Sequence, residues 1–252
     1  MVEQRIENSC VTGSSPVRGT KIINRTMIYN IIPVNYFSGL GGQFLSSFLH
    51  AARENISNTF IFSKDGNSHD SDKDWGPPYH MGQDLTGVKN IDVLTEYSKT
   101  ISANKIEYPH GHFGDPDLLM QHVHKQIKIY YEYEQINEIT GVFMLKHPST
   151  SDLFQDLTDS EIIEKYKNHH VVRFSHWHKT KFARLCNNCP DLEPRMLNIS
   201  WNDMLYNDPE LLISKLHQFT EIPEENFNRE KFNEWRMLTH NTVNKLKQAG
   251  IV

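Results

Sequence analysis

Long apolar runs are missing from this chain of 252 residues, and so is any large surplus of one charge. No stretch reaches the roughly 20 apolar residues that crossing a bilayer requires, and the first residues lack the apolar segment of a secretory signal. A soluble, intracellular protein, cytoplasmic and without a membrane span, is the expectation. With 26 Lys and Arg against 31 Asp and Glu, the net charge of −5 provides no general basic field to recruit nucleic acid or an anionic membrane. A phosphate or sulfate ligand must therefore be held by local groups. Cysteine is scarce: Cys10, Cys186 and Cys189 are too few for a disulfide framework and suit a reducing compartment. The sequons at Asn24, Asn55 and Asn198 then carry little meaning. What is present, 38% hydrophobic and 23% charged residues, suits a globular domain with a sizeable core.

The first 26 residues have neither helix nor strand period. Gly13-Ser-Ser-Pro16 followed by Arg18-Gly-Thr20 resembles a translated transfer-RNA gene, whose T-arm sequence encodes Gly-Ser-Ser-Pro. The expected start is Met27, which divides the chain into a mis-called or disordered segment, 1–26, and a single domain, 27–252.

From Met27 onward, β-rich runs alternate with helical periods. Ile28–Val34 reads as a strand, and Phe44, Leu45, Phe48, Leu49 and Ala52 form one helical stripe. Thr59–Phe62 is a second strand candidate, followed by a long polar stretch from Lys64 to Asn90. A helix around Val93–Ser102 leads to a strand at Lys105–Tyr108, and Asp115-Pro116 starts another helix. Ile127, Ile129 and Tyr131 alternate with Lys128 and Tyr130 as a strand; Glu134–Leu145 has helical spacing. Val171–Phe174 and Arg195–Ile199 are further strands. Asp208-Pro-Glu210 opens a helix with Leu211, Leu212, Leu216 and Phe219 on its face, and a last helix runs from about Asn228 to Lys247 with Phe232, Trp235 and Leu238 inward. Such alternation predicts an α/β fold with a mostly parallel sheet covered on both faces.

The segment Tyr36–Arg53 carries most of the chemistry. Gly39, Gly41 and Gly42 fall in a turn between strand and helix, where a bare backbone approaches an anion closely and the helix's amino end attracts it. The lysine of a Walker P-loop is missing, since Gln43 and Phe44 follow Gly42, so an ordinary kinase or ATPase is not expected. A glycine turn without a ligand is the plainer alternative.

Taken together, these segments resemble the P-loop sulfotransferases, which transfer a sulfuryl group from 3′-phosphoadenosine 5′-phosphosulfate (PAPS) to a hydroxyl or amine. Gly39-Leu-Gly-Gly-Gln-Phe-Leu45 is similar in register to the family's phosphosulfate loop. Ile199-Ser-Trp-Asn-Asp-Met-Leu205, Asn207–Leu212 and Phe219-Thr-Glu-Ile-Pro223 resemble its C-terminal series. His110-Gly-His-Phe113 is similar to the Gly-His-Phe element of the family's glycan-sulfotransferase members. The resemblance implies a three-layer P-loop-type domain and PAPS as co-substrate, held by Gly39, Leu40, Gly41, Gly42, Gln43 and Phe44. It also implies a nucleotide donor and a hydroxyl acceptor, possibly a glycan, as partners. His112 is the best-matched base and His110 its neighbour; imidazole accepts a proton near neutral pH. At the family's 3′-phosphate site, Glu132 stands in place of an arginine and Thr140 in place of a serine, with Lys146 or Arg173 as compensating cations. Gly39 stands where the loop usually has a basic residue. These departures keep open a catalytically inactive relative that binds a nucleotide or glycan, and a glycosyl- or nucleotidyl-handling enzyme on a related sheet.

His176-Trp-His178 and Cys186-Asn-Asn-Cys189 offer four zinc-ligand types, but a single C-x₂-C beside an H-x-H falls short of two paired knuckles. No metal is expected.

Overall fold

The computed structural model describes residues 27–36, 39–56, 88–111, 119–146, 157–165 and 194–252. Four short strands form an all-parallel sheet: β1 (Val34–Asn35), β2 (His110–Gly111), β3 (Gln126–Tyr130) and β4 (Met196–Ser200), in the order β2-β1-β3-β4. Seven helices accompany them, α1 (Gly42–Arg53), α2 (Val88–Thr100), α3 (Ile136–Lys146), α4 (Asp159–Lys165), α5 (Trp201–Leu205), α6 (Pro209–Thr220) and α7 (Arg229–Gln248). The described residues are thus α/β, as the alternating pattern predicts. The expected strands at Thr59–Phe62 and Val171–Phe174, the helix at Asp115-Pro116 and the segment 1–26 lie outside the described residues.

Local chemistry sets the helix starts. Asp208 caps α6 by accepting from the Glu210 amide at 3.1 Å, with Pro209 at the first helical position. Asn228 caps α7 through the Lys231 amide at 3.0 Å. Ser200 and Asp203 close a reciprocal capping box at α5. On α6 the buried stripe is Leu212, Ile213, Leu216 and Thr220; Leu211, expected on the inward face, is 59% exposed. Near β2 the pairing extends past the expected Lys105–Tyr108. It begins at the Ile31–Glu107 bridge and continues through Pro109 to Gly111, where Tyr36 donates its amide to the Gly111 carbonyl at 3.3 Å.

Register divides the sheet into two faces. His110, Val34, Ile127 and Leu197 form one row across the strands, and Gly111, Asn35, Lys128 and Asn198 form the next. Side chains alternate along a strand, so adjacent rows face opposite ways. From the first row Val34, Ile127 and Leu197, with Ile129 and Ile199, belong to a core shared with Phe44, Leu45, Phe48 and Leu49 of α1 and with Phe232 and Trp235 of α7. On the second face, Ile31 and Met196 pack with Leu94 and Tyr97 of α2 and with Leu119, Met120 and Val123. Helix α1 is buried on every side, from Gly42 to Ala52.

Candidate functional site

From β1 the chain first adds β2 on one side and then returns to place β3 on the other, so the strand order reverses at β1. In open parallel sheets, ligands bind in the crevice outside the carboxyl ends of the strands at such a reversal. The glycine turn lies there, directly after β1.

Gly41 is the residue before α1 and has φ +71°, a left-handed conformation that disfavours a side chain, and its carbonyl accepts the first helical bond from the Leu45 amide at 2.9 Å. Each glycine is also tightly packed. A Cβ on Gly41 would lie 2.5 Å from Cζ2 of Trp235, one on Gly42 would lie 2.0 Å from the Tyr36 ring, and one on Gly39 would lie 2.7 Å from the Ile139 carbonyl oxygen. The turn is therefore walled by Tyr36, α3 and α7. Leu40, Gln43 and Phe44 are buried, Phe44 stacking on Trp235 with ring centroids 4.5 Å apart. The first amides of a helix have no acceptor within it, so this amino end retains the donor capacity that an oxyanion uses.

The end of β2 lies alongside. His110 is only 2% exposed, and its ring centroid is 6.0 Å from that of Tyr36. His112 lies outside the described residues, as do Arg173 and the cluster His176, His178, Cys186 and Cys189. Among the described residues there is no group of three or more His, Cys, Asp or Glu placed to hold a metal ion.

The residues matched to the 3′-phosphate site have contacts within the protein. Thr140 is fully buried, and its hydroxyl donates to the Ile136 carbonyl at 2.6 Å, one turn back in its own helix. Glu132 is exposed, its amide bonded to Oε1 of Gln135 at 3.0 Å. Lys146 donates to the Thr239 hydroxyl at 2.7 Å, and its ammonium lies 5.2 Å from the Trp235 ring centroid, joining α3 to α7. The glycine turn is thus closely packed on its side-chain side, and Thr140 and Lys146 each have a partner within the protein.

Behind α1, packing is polar but paired. Ser46 donates to the Tyr108 carbonyl. Arg53 donates to the Tyr108 hydroxyl at 2.8 Å and to the Thr220 carbonyl at 2.6 Å. Burial pushes the Tyr108 hydroxyl up to about 12, against the pull of that guanidinium. His50 and Glu107 lie 3.6 Å apart in the same layer. No protein-family model, curated protein or solved structure matches the chain. No helix among the described residues is long and apolar enough to cross a membrane.

Three residues at the site escaped the sequence reading. Tyr36 covers Gly42, while Asn35, the last residue of β1, and Lys128, in the middle of β3, are buried side by side. The alternation Gln126-Ile-Lys-Ile-Tyr130 placed Lys128 on a strand without marking that residue as buried.

Proposed function

We propose that the chain is a sulfotransferase-like enzyme of the P-loop type, moving a sulfuryl group from PAPS to the hydroxyl of an acceptor. The observation that carries this reading is the placement of the glycine turn, between β1 and α1, at the reversal of strand order and beside the end of β2. There, amides at the start of α1 and the carboxamide of Gln43 face charge building on the donor's bridging oxygen. The donor supplies the sulfuryl group. His112 receives the acceptor hydroxyl's proton as its oxygen bonds to sulfur and the sulfur–oxygen bond to the leaving phosphate breaks. His110, buried behind Tyr36, holds the end of β2 and is less suited to meet an acceptor.

Calorimetry with PAPS or adenosine 3′,5′-bisphosphate tests this reading. Either ligand at 100 times its Kd stabilises the fold by about 2.7 kcal/mol, and radiolabelled donor gives labelled acceptor in a His112-dependent manner. General-base assistance contributes about 10²- to 10⁴-fold, which sets the expected loss in His112→Ala. Absence of nucleotide binding at millimolar concentration overturns the donor assignment.

A second reading has its own support. Thr140 spends its hydroxyl on its own helix, and side chains occupy the space beside all three glycines of the turn. A non-catalytic descendant that binds a nucleotide or glycan at the turn accounts for both. Its signature is binding without transfer.

A further inference from the structure

Helix α4 has only seven residues, too few to be stable alone in water, so what docks it decides whether it forms. It carries its own cap. Glu161 accepts from the Thr158 amide at 2.8 Å and from the Thr158 hydroxyl at 2.7 Å, and that hydroxyl receives the Glu161 amide at 3.4 Å. The helix is therefore closed locally at its amino end and moves as a unit. Its docking is slight. Thr158, Asp159, Ser160, Glu161 and Glu164 are exposed and Ile163 is half-buried, which leaves Ile162 as the one buried side chain among its described residues.

Ile162 enters a small apolar cluster with Met144 of α3, edged by Phe143, Leu145, Leu157 and Ile251 and distinct from the main core. One ion pair adds to it: Lys245 of α7 reaches Asp159 at 2.5 Å, with both side chains half exposed. Water and salt screen a pair in that position, so it contributes little. Segments that bury few apolar groups open locally at a lower free energy than the whole fold. The place of the cluster gives that opening a consequence. Phe143, at its edge, also borders the glycine turn, where a Cβ on Gly39 would lie 3.1 Å from the Phe143 Cβ. Helix α7, which carries Lys245, supplies Trp235 against Gly41. Helix α4 thus braces both helices that wall the turn.

We infer that α4 is a detachable strap, which undocks as a unit while the rest of the fold stays intact and which, when docked, steadies Phe143 against the turn. Ile162 is its anchor and the Lys245–Asp159 pair its latch. The bearing of the strap on ligand binding rests on the proposed site at the turn; its opening does not.

Hydrogen exchange of the full chain, followed by mass spectrometry, tests the strap without any ligand. In wild type the amides of residues 162–165 should be protected, yet exchange about 100-fold or more faster than those in the middle of α7. Ile162→Ala should speed exchange in α4 by about tenfold or more, and Asp159→Asn by about threefold, both leaving α7 unchanged. Ile162→Ala should also speed exchange at residues 39–44 by about threefold, through Phe143. Equal exchange in α4 and α7, an α4 with no protection, or an acceleration of α7 that matches that of α4 overturns the strap. Asp159→Asn supplies the comparison if Ile162→Ala loses the fold. Faster exchange in α4 with none at residues 39–44 overturns the link to the turn. Calorimetry with adenosine 3′,5′-bisphosphate separates this inference from the sulfotransferase reading. Affinity lowered about threefold in Ile162→Ala supports the strap's bearing on the site, and unchanged affinity overturns it. Absence of binding to wild type overturns the donor assignment, and the exchange rates still decide the strap.

Discussion

On the α1 face of the sheet, Val34, Ile127, Ile129 and Ile199 meet Phe44, Phe48, Phe232 and Trp235 in one apolar core. One residue along each strand, on the other face, Asn35, Lys128 and Asn198 lie side by side. The same strands thus serve two purposes. One face stabilises the fold by removing apolar area from water, while the other buries polar groups, whose burial is tolerated only where they find partners. The glycine turn lies where these two requirements meet, at the end of β1, and its backbone is tightly packed by aromatic rings on the stabilising side.

The largest expected contrast comes from adjacent residues of β4. Ile199 is fully buried on the α1 face, so Ile199→Ala should lower unfolding free energy by about 2–5 kcal/mol. Asn198→Ala, on the other face, should cost less than half of that. Denaturant titration of both variants checks this, and equal losses would show that the faces are energetically alike.

Next in size is the contact between Gly42 and Tyr36. Gly42→Ala drives a methyl into the ring and should cost about 1–3 kcal/mol. In a Tyr36→Ala background the same change should cost little, giving a clear coupling energy in a double-mutant cycle. Strict additivity would mean that the ring does not limit the turn.

A smaller effect is expected at Asp203. Its burial favours the protonated acid, but hydrogen bonds from Ser200, Asn207 and Lys215 outweigh this and hold the carboxyl below its ordinary range. A group depressed in the folded state contributes stability that is complete above its unfolded pKa, about 3.9, and is lost as pH falls through the folded value. Wild type should therefore lose stability below about pH 4 more steeply than Asp203→Asn does. At neutral pH, Asp203→Ala should cost about 1 kcal/mol, the usual effect of losing a cap. Thermal unfolding across pH measures both.

The smallest effect is expected at Thr140. Its hydroxyl is satisfied within α3, so Thr140→Val should change stability by no more than about 1 kcal/mol. Affinity for adenosine 3′,5′-bisphosphate should stay the same. A tenfold loss of affinity would restore Thr140 to the nucleotide site and enlarge the polar territory of the molecule.

Much of the fold could be read from local pattern, because local chemistry determines it. Asp208-Pro209 marks the start of α6, the period of Phe232 and Trp235 gives α7, and the stripe from Phe44 to Ala52 gives α1. The site was less legible because its determinants are long-range. The glycines announce a turn, but the rings of Trp235 and Tyr36 that require them are brought in by tertiary packing. In β3, polar and apolar residues alternate as in a strand with one wet face, yet the strand lies between β1 and β4 with Gln126–Ile129 buried throughout. Thr140 matches a phosphate-binding hydroxyl by position, and only the structure shows that the Ile136 carbonyl accepts its hydrogen bond.

The contact of Trp235 with Gly41 also has a temporal consequence. The turn is made early during synthesis and α7 much later, so a growing chain carries the turn before it has the ring that closes it. During translation at about 5–20 residues per second, that interval lasts on the order of ten seconds or more. For its duration the aromatic faces of Phe44 and Phe48 lack their partners on α7, Trp235 and Phe232. Arrival of α7 therefore completes the core and closes over the turn in one event, so the turn of a nascent chain stays uncovered until the last helix has been made.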